Sequence, residues 1–498
     1  MLIQSQRGVR IAFLVVLVVY LVLGGLYAIK TPIWQVPDEP AHYNYIRYIA
    51  QNLALPELKQ GDFPYDWLSL LKQYKFENLS IDRVKYESHQ PPLYYLLGAA
   101  IYSVANLLKL QMPLILRFFS LAIGAVALWF GFRIVRSIFP DEPLLALGTA
   151  AFAATLPMHL TMNMGINNDV LVELLLALIV GQVVLLDAAR WSYKKALLLG
   201  ILLGLAFLTK LQAYIAVVVI LAALLYDLLQ SRKCKGALSF NKVVALAGLV
   251  LGVAGVIVLP WLIRNTSIYG LGDLLALQRQ DQVASRQLAT GTYIHQIGFV
   301  GYLVSFATTT FQSFWGQFGW MGVVLHPRFY LAAFFLTGLV LVGFVLYLVR
   351  ATRSKSHLAP ATRRGLFILL IWGLCTLLGY LWYNLRFVQF QGRYLFPAII
   401  PLGLVFTLGL RELFRGKQIV PLGVISLVVL FLVGDGIAKH DLKLFSTVMA
   451  AAAAPLIIAG KWVEKRLPGA AMAVMYLTLA VYSLYCLFAY IVPQLSIS

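Results

Sequence analysis

Long uninterrupted apolar runs constrain this chain more than any other feature. Stretches of about 20 apolar residues recur along the 498 residues, and an α-helix needs a run of that length to cross the hydrocarbon core of a bilayer. The hydrophobic content of 61% agrees, since soluble domains do not reach it. The sequence therefore predicts an all-α polytopic membrane protein with about 13 transmembrane helices. They lie near 11–29, 114–136, 143–162, 169–188, 196–210, 211–228, 243–263, 329–349, 365–383, 394–411, 419–437, 444–460 and 469–492.

The segment 92–108 is the one apolar stretch whose placement needs a second argument. It has 17 residues, fewer than the roughly 20 of a typical span, and it contains Asn106. If it lies in the membrane interface, more than half of the 40 Lys and Arg residues fall in loops on the side of the amino terminus, among them Arg136, Arg350 and Arg411. Cytoplasmic loops carry such an excess. We therefore expect an interfacial helix at 92–108 and a cytoplasmic amino terminus in a plasma (inner) membrane.

This topology leaves two long exterior loops, 31–113 and 264–328. Both are too apolar and aromatic to be simple linkers, so we expect interfacial helices that form a small cap over the membrane domain. The formal charge of +20 is explained by the basic cytoplasmic loops. It does not indicate a nucleic acid partner, and the expected surroundings are membrane lipids.

An acidic pair follows the first span directly. Asp38 and Glu39 lie between Pro37 and Pro40, at the start of a predicted amphipathic helix that includes His42. Asp38 could serve as a general base, or it could only cap the helix, since Asp at the N-cap and Pro in the first turn are both favourable there. We expect Asp38 to stay ionised and Glu39 to turn toward packing or hydrogen bonds.

Further polar residues from separate spans are predicted to converge on the exterior side. Carboxylates there can move protons, and Lys and Arg can hold an oxyanion such as a phosphate, which suits group transfer from a phosphate leaving group. Each also has a structural alternative: the histidines could only pack, a lysine could only extend to the interface, and an embedded carboxylate could only pair with a neighbouring helix. The set is Glu87, His89, Asn168, Asp169, Glu173, Lys210, Arg264, Arg386 and Arg393.

Five short motifs, taken in order, resemble the GT-C class of polyprenyl-phosphate-sugar glycosyltransferases. The branch they resemble contains the protein O-mannosyltransferases and the lipid A aminoarabinose transferase. The resemblance implies a GT-C-like catalytic membrane domain at 1–410 that includes both exterior loops, followed by additional transmembrane helices at 411–498. The motifs are PDEPAHY (37–43), HQPPLYYLL (89–97), NNDVL (167–171), FLTK (207–210) and QGRYLFPAIIPL (391–402).

The resemblance also implies roles for single residues. Asp38 corresponds to the catalytic base of the class, with Glu39 as the alternative in the pair, and either Glu87 or His89 provides the second catalytic group. Lys210 and Arg393 would bind the donor phosphate, with Arg264 or Arg386 beside them. His42, Asn168, Asp169 and Glu173 would support the site, and no metal or other cofactor is expected.

The implied function is transfer of a sugar from a polyprenyl-phosphate donor to an acceptor hydroxyl or amine on the exterior face. Two alternatives remain open. A lipid or solute transporter or flippase would also have many spans and buried charge, although such proteins often carry paired repeats and none is visible. A non-catalytic membrane assembly subunit would not need acidic and basic side chains that converge.

Overall fold

The computed structural model describes residues 5–186, 190–233, 238–353 and 358–496. The end of the predicted span 169–188 lies outside these ranges. The described chain is almost entirely helical, with one short antiparallel pair of strands, β1 (Gln317–Phe318) and β2 (Val323–Val324). The α-helices are α1 (Gln6–Lys30), α2 (Glu39–Asn52), α3 (Tyr65–Gln73), α4 (Leu93–Leu107), α5 (Met112–Ile138), α6 (Pro143–Thr155), α7 (Pro157–Met164), α8 (Asp169–Val184), α9 (Tyr193–Phe207), α10 (Tyr214–Lys233), α11 (Phe240–Tyr269), α12 (Leu277–Val283), α13 (Thr290–Gly316), α14 (Pro327–Arg353), α15 (Pro360–Arg386), α16 (Ile399–Arg415), α17 (Ile419–Ala438), α18 (Leu444–Arg466), α19 (Ala470–Tyr485) and α20 (Val492–Leu495).

The helices confirm a polytopic membrane protein. In the described part of the chain, 10 helical segments are long and apolar enough to cross a membrane, and α6 with α7, bent by 69°, makes up to 11. The two remaining predicted spans correspond to α8 and α9, which have 16 and 15 residues. The number 13 itself therefore stays a prediction.

Contacts between distant segments show which loops share an end of the bundle. Arg350 pairs with Glu412 at 3.0 Å, and Arg411 pairs with Glu142, just beyond the carboxyl end of α5. Loops that were predicted to be cytoplasmic thus meet at one end of α5, whereas its amino end adjoins the loop 31–113. These three connections and the loop 31–113 therefore lie at opposite ends of α5.

The first long loop also contacts the end of the chain. Lys75, which follows α3, donates a hydrogen bond from Nζ to the carbonyl of Ser496 at 2.7 Å. Ser5 lies at the far end of α1, a helix of 25 residues. Residues 5 and 496 therefore lie at opposite ends of the bundle, which requires an odd number of crossings.

The two long loops pack together as a cap made of α2, α3, α4, α12 and α13. Trp320 at the β1–β2 turn donates from Nε1 to the carbonyl of Trp34 at 2.9 Å, and Arg286 pairs with Asp66 at 2.8 Å. With 15 residues, α4 is about 22 Å long at 1.5 Å per residue, less than the hydrocarbon core of about 30 Å. The α13 helix bends at Gly298, where φ is 74°, a value that glycine adopts without steric cost.

The helices after residue 410 are in contact with the rest of the bundle. Ser483 of α19 accepts a hydrogen bond at its carbonyl from Tyr27 of α1 at 2.8 Å, and its Oγ donates to the carbonyl of Thr155 in α6 at 2.6 Å. By contrast, α17 and α18 are mostly exposed. A boundary near residue 410 stays a prediction.

Candidate active site

A buried ion pair fixes the segment that joins α1 to α2. Arg117 of α5 donates from Nε and Nη2 to the two carboxylate oxygens of Glu39, each at 2.7 Å, and both side chains are almost completely buried. The same guanidinium donates to the carbonyls of Ala28 and Thr31. Because bidentate pairing is strong and directional, the end of α1 and the start of α2 are held against α5.

Asp38, the neighbour of Glu39, points the other way. Its φ of 67° lies in the left-handed region, which Asp tolerates better than most residues. Its Oδ1 accepts a hydrogen bond from the Tyr86 hydroxyl at 2.7 Å, and its Oδ2 lies 2.7 Å from Nη2 of Arg393. Asp38 occupies the N-cap position of α2, but its side chain makes no capping hydrogen bond. The capping interpretation is therefore wrong.

The Asp38 carboxylate faces a cavity of about 310 Å³ between the cap and the helices α8, α10, α11 and α15. Most of the residues that the sequence singled out line this cavity. The ones that do not are Glu39, Asn168, Glu173 and Arg264. The predicted residues that line it are Asp38, His42, Glu87, His89, Asp169, Lys210, Arg386 and Arg393.

Each of the three cations in the cavity has a carboxylate partner. Arg393 pairs with Asp38 as described, and Lys210 pairs with Asp169 at the start of α8. Arg386, at the end of α15, lies 3.4 Å from Asp281 of α12 and is more than half exposed. The cavity is therefore rich in charge, while its positive and negative groups nearly balance.

Two carboxyl groups in the cavity have opposite electrostatic environments. Burial opposes ionisation of Asp38, but the positive charge of Arg393, together with His42 and the Tyr86 hydrogen bond, outweighs it and lowers the pKa of Asp38. Burial raises the pKa of Glu87, and nearby Asp38 raises it further. Paired environments of this kind separate an ionised acid from a protonated one, so Asp38 is the ionised carboxylate here.

Burial disfavours the charged form of both histidines of the cavity. Burial lowers the pKa of His42, whose Nδ1 lies 2.8 Å from the hydroxyl of Tyr95. Burial also lowers the pKa of His89 to about 4, and its Nδ1 donates to the carbonyl of Tyr86 at 2.9 Å. Both rings can hydrogen-bond to a ligand, and burial makes a positive charge on either of them less favourable than in water.

Three predicted residues support the walls of the cavity from outside it. Glu39 holds the entry to α2, as described above. Asn168 donates to the carbonyl of Thr209 at 3.0 Å and so joins the start of α8 to the end of α9. Arg264 donates to the carbonyl of Pro56 at 2.5 Å and lies over the ring of Trp261. The structure thus directs the Arg264 charge toward the first loop, away from the cavity.

Glu173 belongs to a second, smaller polar cluster. Its Oε2 lies 3.2 Å from Nε2 of His159. Together with Tyr20 and Asn163 they line a separate cavity of about 30 Å³. This cluster lies one helical turn along α8 from Asp169, outside the main cavity.

Several residues of the site were not predicted. Arg117 lies inside the predicted span 114–136, well away from Arg133 and Arg136 at its other end. A charge in such a place indicates a buried partner, so a signal was available. Tyr86 directly precedes Glu87 but carries no distinctive pattern. Tyr383 near the end of α15 and Tyr394 in the segment that follows α15 line the cavity, and their only sequence signal is the aromatic character of this region.

Within the described ranges, no three His, Cys, Asp or Glu side chains are grouped so that they could hold a metal ion. Arrangements that could bind an anion are present instead, since Arg393, Lys210 and Arg386 all line one cavity. The arrangement can bind a phosphate and place a carboxylate beside it.

Solved structures of other proteins resemble this fold. The chain is similar to ArnT from Cupriavidus metallidurans bound to undecaprenyl phosphate, with 16% identity, a TM-score of 0.53, and coverage of 97% of this chain and 78% of that chain. The apo state of the same protein gives 14% identity, a TM-score of 0.50, and coverage of 95% and 76%. An oligosaccharyltransferase from Archaeoglobus fulgidus gives 14% identity, a TM-score of 0.49, and coverage of 94% and 56%. The two ArnT structures show that the fold is the GT-C fold that the motifs predict.

Comparisons by sequence give one family. A search of curated proteins finds no significant match. The family described as "Predicted membrane protein (DUF2142)" matches residues 73–402, which is well over half of the chain. The match includes Lys210 and Arg393 and begins after Asp38. The chain therefore belongs to the DUF2142 family of predicted membrane proteins.

Proposed function

We propose that this protein is a membrane glycosyltransferase that moves a sugar from a polyprenyl-phosphate donor to an acceptor hydroxyl or amine. The observation that carries the proposal is the cavity in which ionised Asp38 lies beside Arg393, with Lys210 and Arg386 on the same walls. Glycosyl transfer from a phosphate needs a base for the acceptor proton and cations for the departing phosphate. One cavity contains both.

The reaction follows from these positions. The acceptor oxygen or nitrogen forms a bond to the anomeric carbon, while the bond from that carbon to the phosphate oxygen breaks. The acceptor proton passes to Asp38, and the electron pair leaves with the lipid phosphate, which Arg393 and Lys210 stabilise. A single displacement of this kind inverts the configuration at the anomeric carbon.

The walls of the cavity suit a lipid donor. Part of the lining is apolar, with Ile215 of α10 and with Val258 and Trp261 of α11. Trp382 of α15 lines the same cavity and is 58% exposed. Such an apolar wall would let a prenyl chain pack beside the site while its phosphate enters the cavity. A protein with the same fold was crystallised with undecaprenyl phosphate, which supports this class of donor.

We place the reaction on the exterior face. The cavity lies at the end of the bundle that carries the two long loops, opposite the basic loops at the other end of α5. Since short basic loops favour the cytoplasmic side, the cavity would open to the exterior of an inner membrane.

The test is release of polyprenyl phosphate from labelled donors by the purified protein. Donors are first screened for protection against thermal unfolding, because a ligand that binds the folded state raises its stability. Replacement of a general base typically lowers the rate by about 10²–10⁴-fold. Asp38→Asn should therefore release polyprenyl phosphate more slowly than wild type by about this factor. Asp82→Asn, an exposed carboxylate of the same loop, is the matched control. Equal release by wild type and Asp38→Asn would contradict the proposal.

A further inference from the structure

The Arg393 guanidinium is buried and incompletely bonded. Its side chain is 8% exposed. Nη2 bonds to Asp38 at 2.7 Å, and Nη1 lies 3.9 Å from the thioether of Met162. Tyr394 also contacts the guanidinium, with its ring centre 5.3 Å from Cζ, but Nε is buried with no hydrogen-bond partner among the described residues. A guanidinium has five N–H donors, and a buried donor without a partner costs free energy. The unused donors indicate a place for a further oxyanion.

Asp38 is the anion that Arg393 holds in the structure. A phosphate that entered the same place would compete with the Asp38 carboxylate for the guanidinium and would also repel it. Asp38 would keep one partner, since its Oδ1 accepts from Tyr86 at 2.7 Å. The other cations do not remove the conflict, because Lys210 is already paired with Asp169.

We propose that Asp38 occupies the phosphate site on Arg393 when no donor is bound, and that the donor phosphate displaces it and so prepares it to act as a base. The inference rests on the proposed function and adds the order of its two steps. Donor binds first, and only then can Asp38 accept a proton from the acceptor. This replacement of Asp38 by the donor phosphate on Arg393 makes activation of the acceptor depend on binding of the donor. It does not require a lid to move.

The physical basis is a coupling between two anions that share one cation. The phosphate takes the positive partner of Asp38 and brings a negative charge close to it, and both changes make the carboxylate a stronger base. Such coupling is reciprocal. If the phosphate weakens the hold of Arg393 on Asp38, then Asp38 weakens the binding of phosphate. Removal of the Asp38 charge should therefore strengthen binding.

The experiment measures binding of undecaprenyl phosphate, without a sugar, to the full chain in detergent micelles. Asp38→Asn should bind it about tenfold more tightly than wild type, within the range of couplings between sites. Asn suits the left-handed backbone at this position, so the variant should keep its loop. Arg393→Ala should bind about tenfold more weakly or worse, because it loses charge-assisted hydrogen bonds.

A double variant separates competition for Arg393 from simple repulsion. In the Arg393→Ala background, Asp38→Asn should improve binding by at most about threefold, which is the repulsion left between two anions in a hydrated cavity. An equal gain in both backgrounds would overturn the proposal, as would unchanged or weaker binding by Asp38→Asn alone. Asp82→Asn should bind as wild type does, and thermal unfolding confirms that each variant is folded.

The outcomes distinguish this inference from the proposed function. If Asp38→Asn binds no more tightly while wild type transfers sugar, the exchange is wrong and the glycosyltransferase stands. If Asp38→Asn binds more tightly in the wild-type background alone and no donor is ever turned over, the exchange stands and the transfer reaction is wrong. Absence of any binding by wild type and by Asp38→Asn would overturn both.

Discussion

Two adjacent carboxylates show how one backbone angle separates two roles. The positive φ of Asp38 turns its side chain toward the cavity, while Glu39 points into the bundle and pairs with Arg117. The first is in reach of a substrate, and the second is in reach of protein only. Neighbours in sequence thus have different surroundings, and substitutions should separate them by their effects.

We expect Glu39→Gln to destabilise the fold far more than Asp38→Asn. Glu39→Gln leaves Arg117 buried beside a neutral partner, a loss that typically costs about 3–5 kcal/mol. The Asp38 side chain is 24% exposed to the cavity, so water can replace part of what it provides. Thermal unfolding of the two variants checks the order. If Asp38→Asn unfolds first and Glu39→Gln melts as wild type does, the assignment of the two roles is wrong.

The Asp38–Arg393 pair also predicts how stability depends on pH. Burial opposes ionisation of Asp38, but Arg393 and the neighbouring groups hold the pKa of its carboxyl below the ordinary value of 3.8. A lowered pKa means that the ionised pair stabilises the fold above the ordinary pKa, and that this stability is lost as the pH falls through the lowered value. The difference in melting temperature between wild type and Asp38→Asn should therefore be constant from about pH 5 to 8 and shrink below about pH 4. A difference that grew toward low pH would contradict the pairing.

At the scale of elements, the segment that carries Arg393 depends on one glycine. Gly392 opens the short 3-10 helix Gly392–Ala398, and its N–H donates to Oγ of Ser313 in α13 at 2.7 Å. A Cβ added at Gly392 would lie 2.4 Å from the backbone nitrogen of Phe314. Backbone atoms cannot move aside as the end of a flexible side chain can. The segment and α13 can therefore approach this closely only at a glycine.

We expect Gly392→Ala to destabilise the protein and weaken its binding of undecaprenyl phosphate. Overpacking typically costs about 1–3 kcal/mol, and here the displaced segment carries Arg393. Gly291→Ala is the matched control, since a Cβ added there meets nothing within 4 Å. Thermal unfolding and the binding assay check both variants. Wild-type affinity in Gly392→Ala would show that the close approach does not position Arg393.

The helices of this protein are easier to predict from its sequence than the contacts between them. Helices such as α2 and α5 were predictable because apolar runs and their spacing are local properties, and α2 begins directly after Asp38 as expected. Pairing is not local: Arg117 and Glu39 are 78 residues apart, and Asp38 and Arg393 are 355 apart. The sequence alone contains the charges of such pairs without their distances. That is why Arg264 was assigned to the cavity although its guanidinium binds the first loop.

At the scale of the whole molecule, a single labelling experiment can determine which end of the helical bundle faces the exterior of the membrane. In a variant without the three native cysteines, Asn106→Cys at the end of α4 should react with a membrane-impermeant thiol reagent on intact cells. Asp141→Cys beyond α5 should react only after the membrane is opened. Both positions are exposed. Labelling of Asn106→Cys from the cytoplasmic side alone would reverse the topology and the proposed face of the reaction.

The pairing of every cation in the cavity with a carboxylate has a consequence for which lipids enter it. A site with three unpaired positive charges would attract the anionic headgroups that surround the protein, at about 1 kcal/mol per basic residue. Because Lys210, Arg386 and Arg393 face Asp169, Asp281 and Asp38, these side chains together present little net field to the cavity. We expect abundant phospholipids to be poor competitors and the rate of donor capture to change little with ionic strength, since salt screens only charge that is not already balanced.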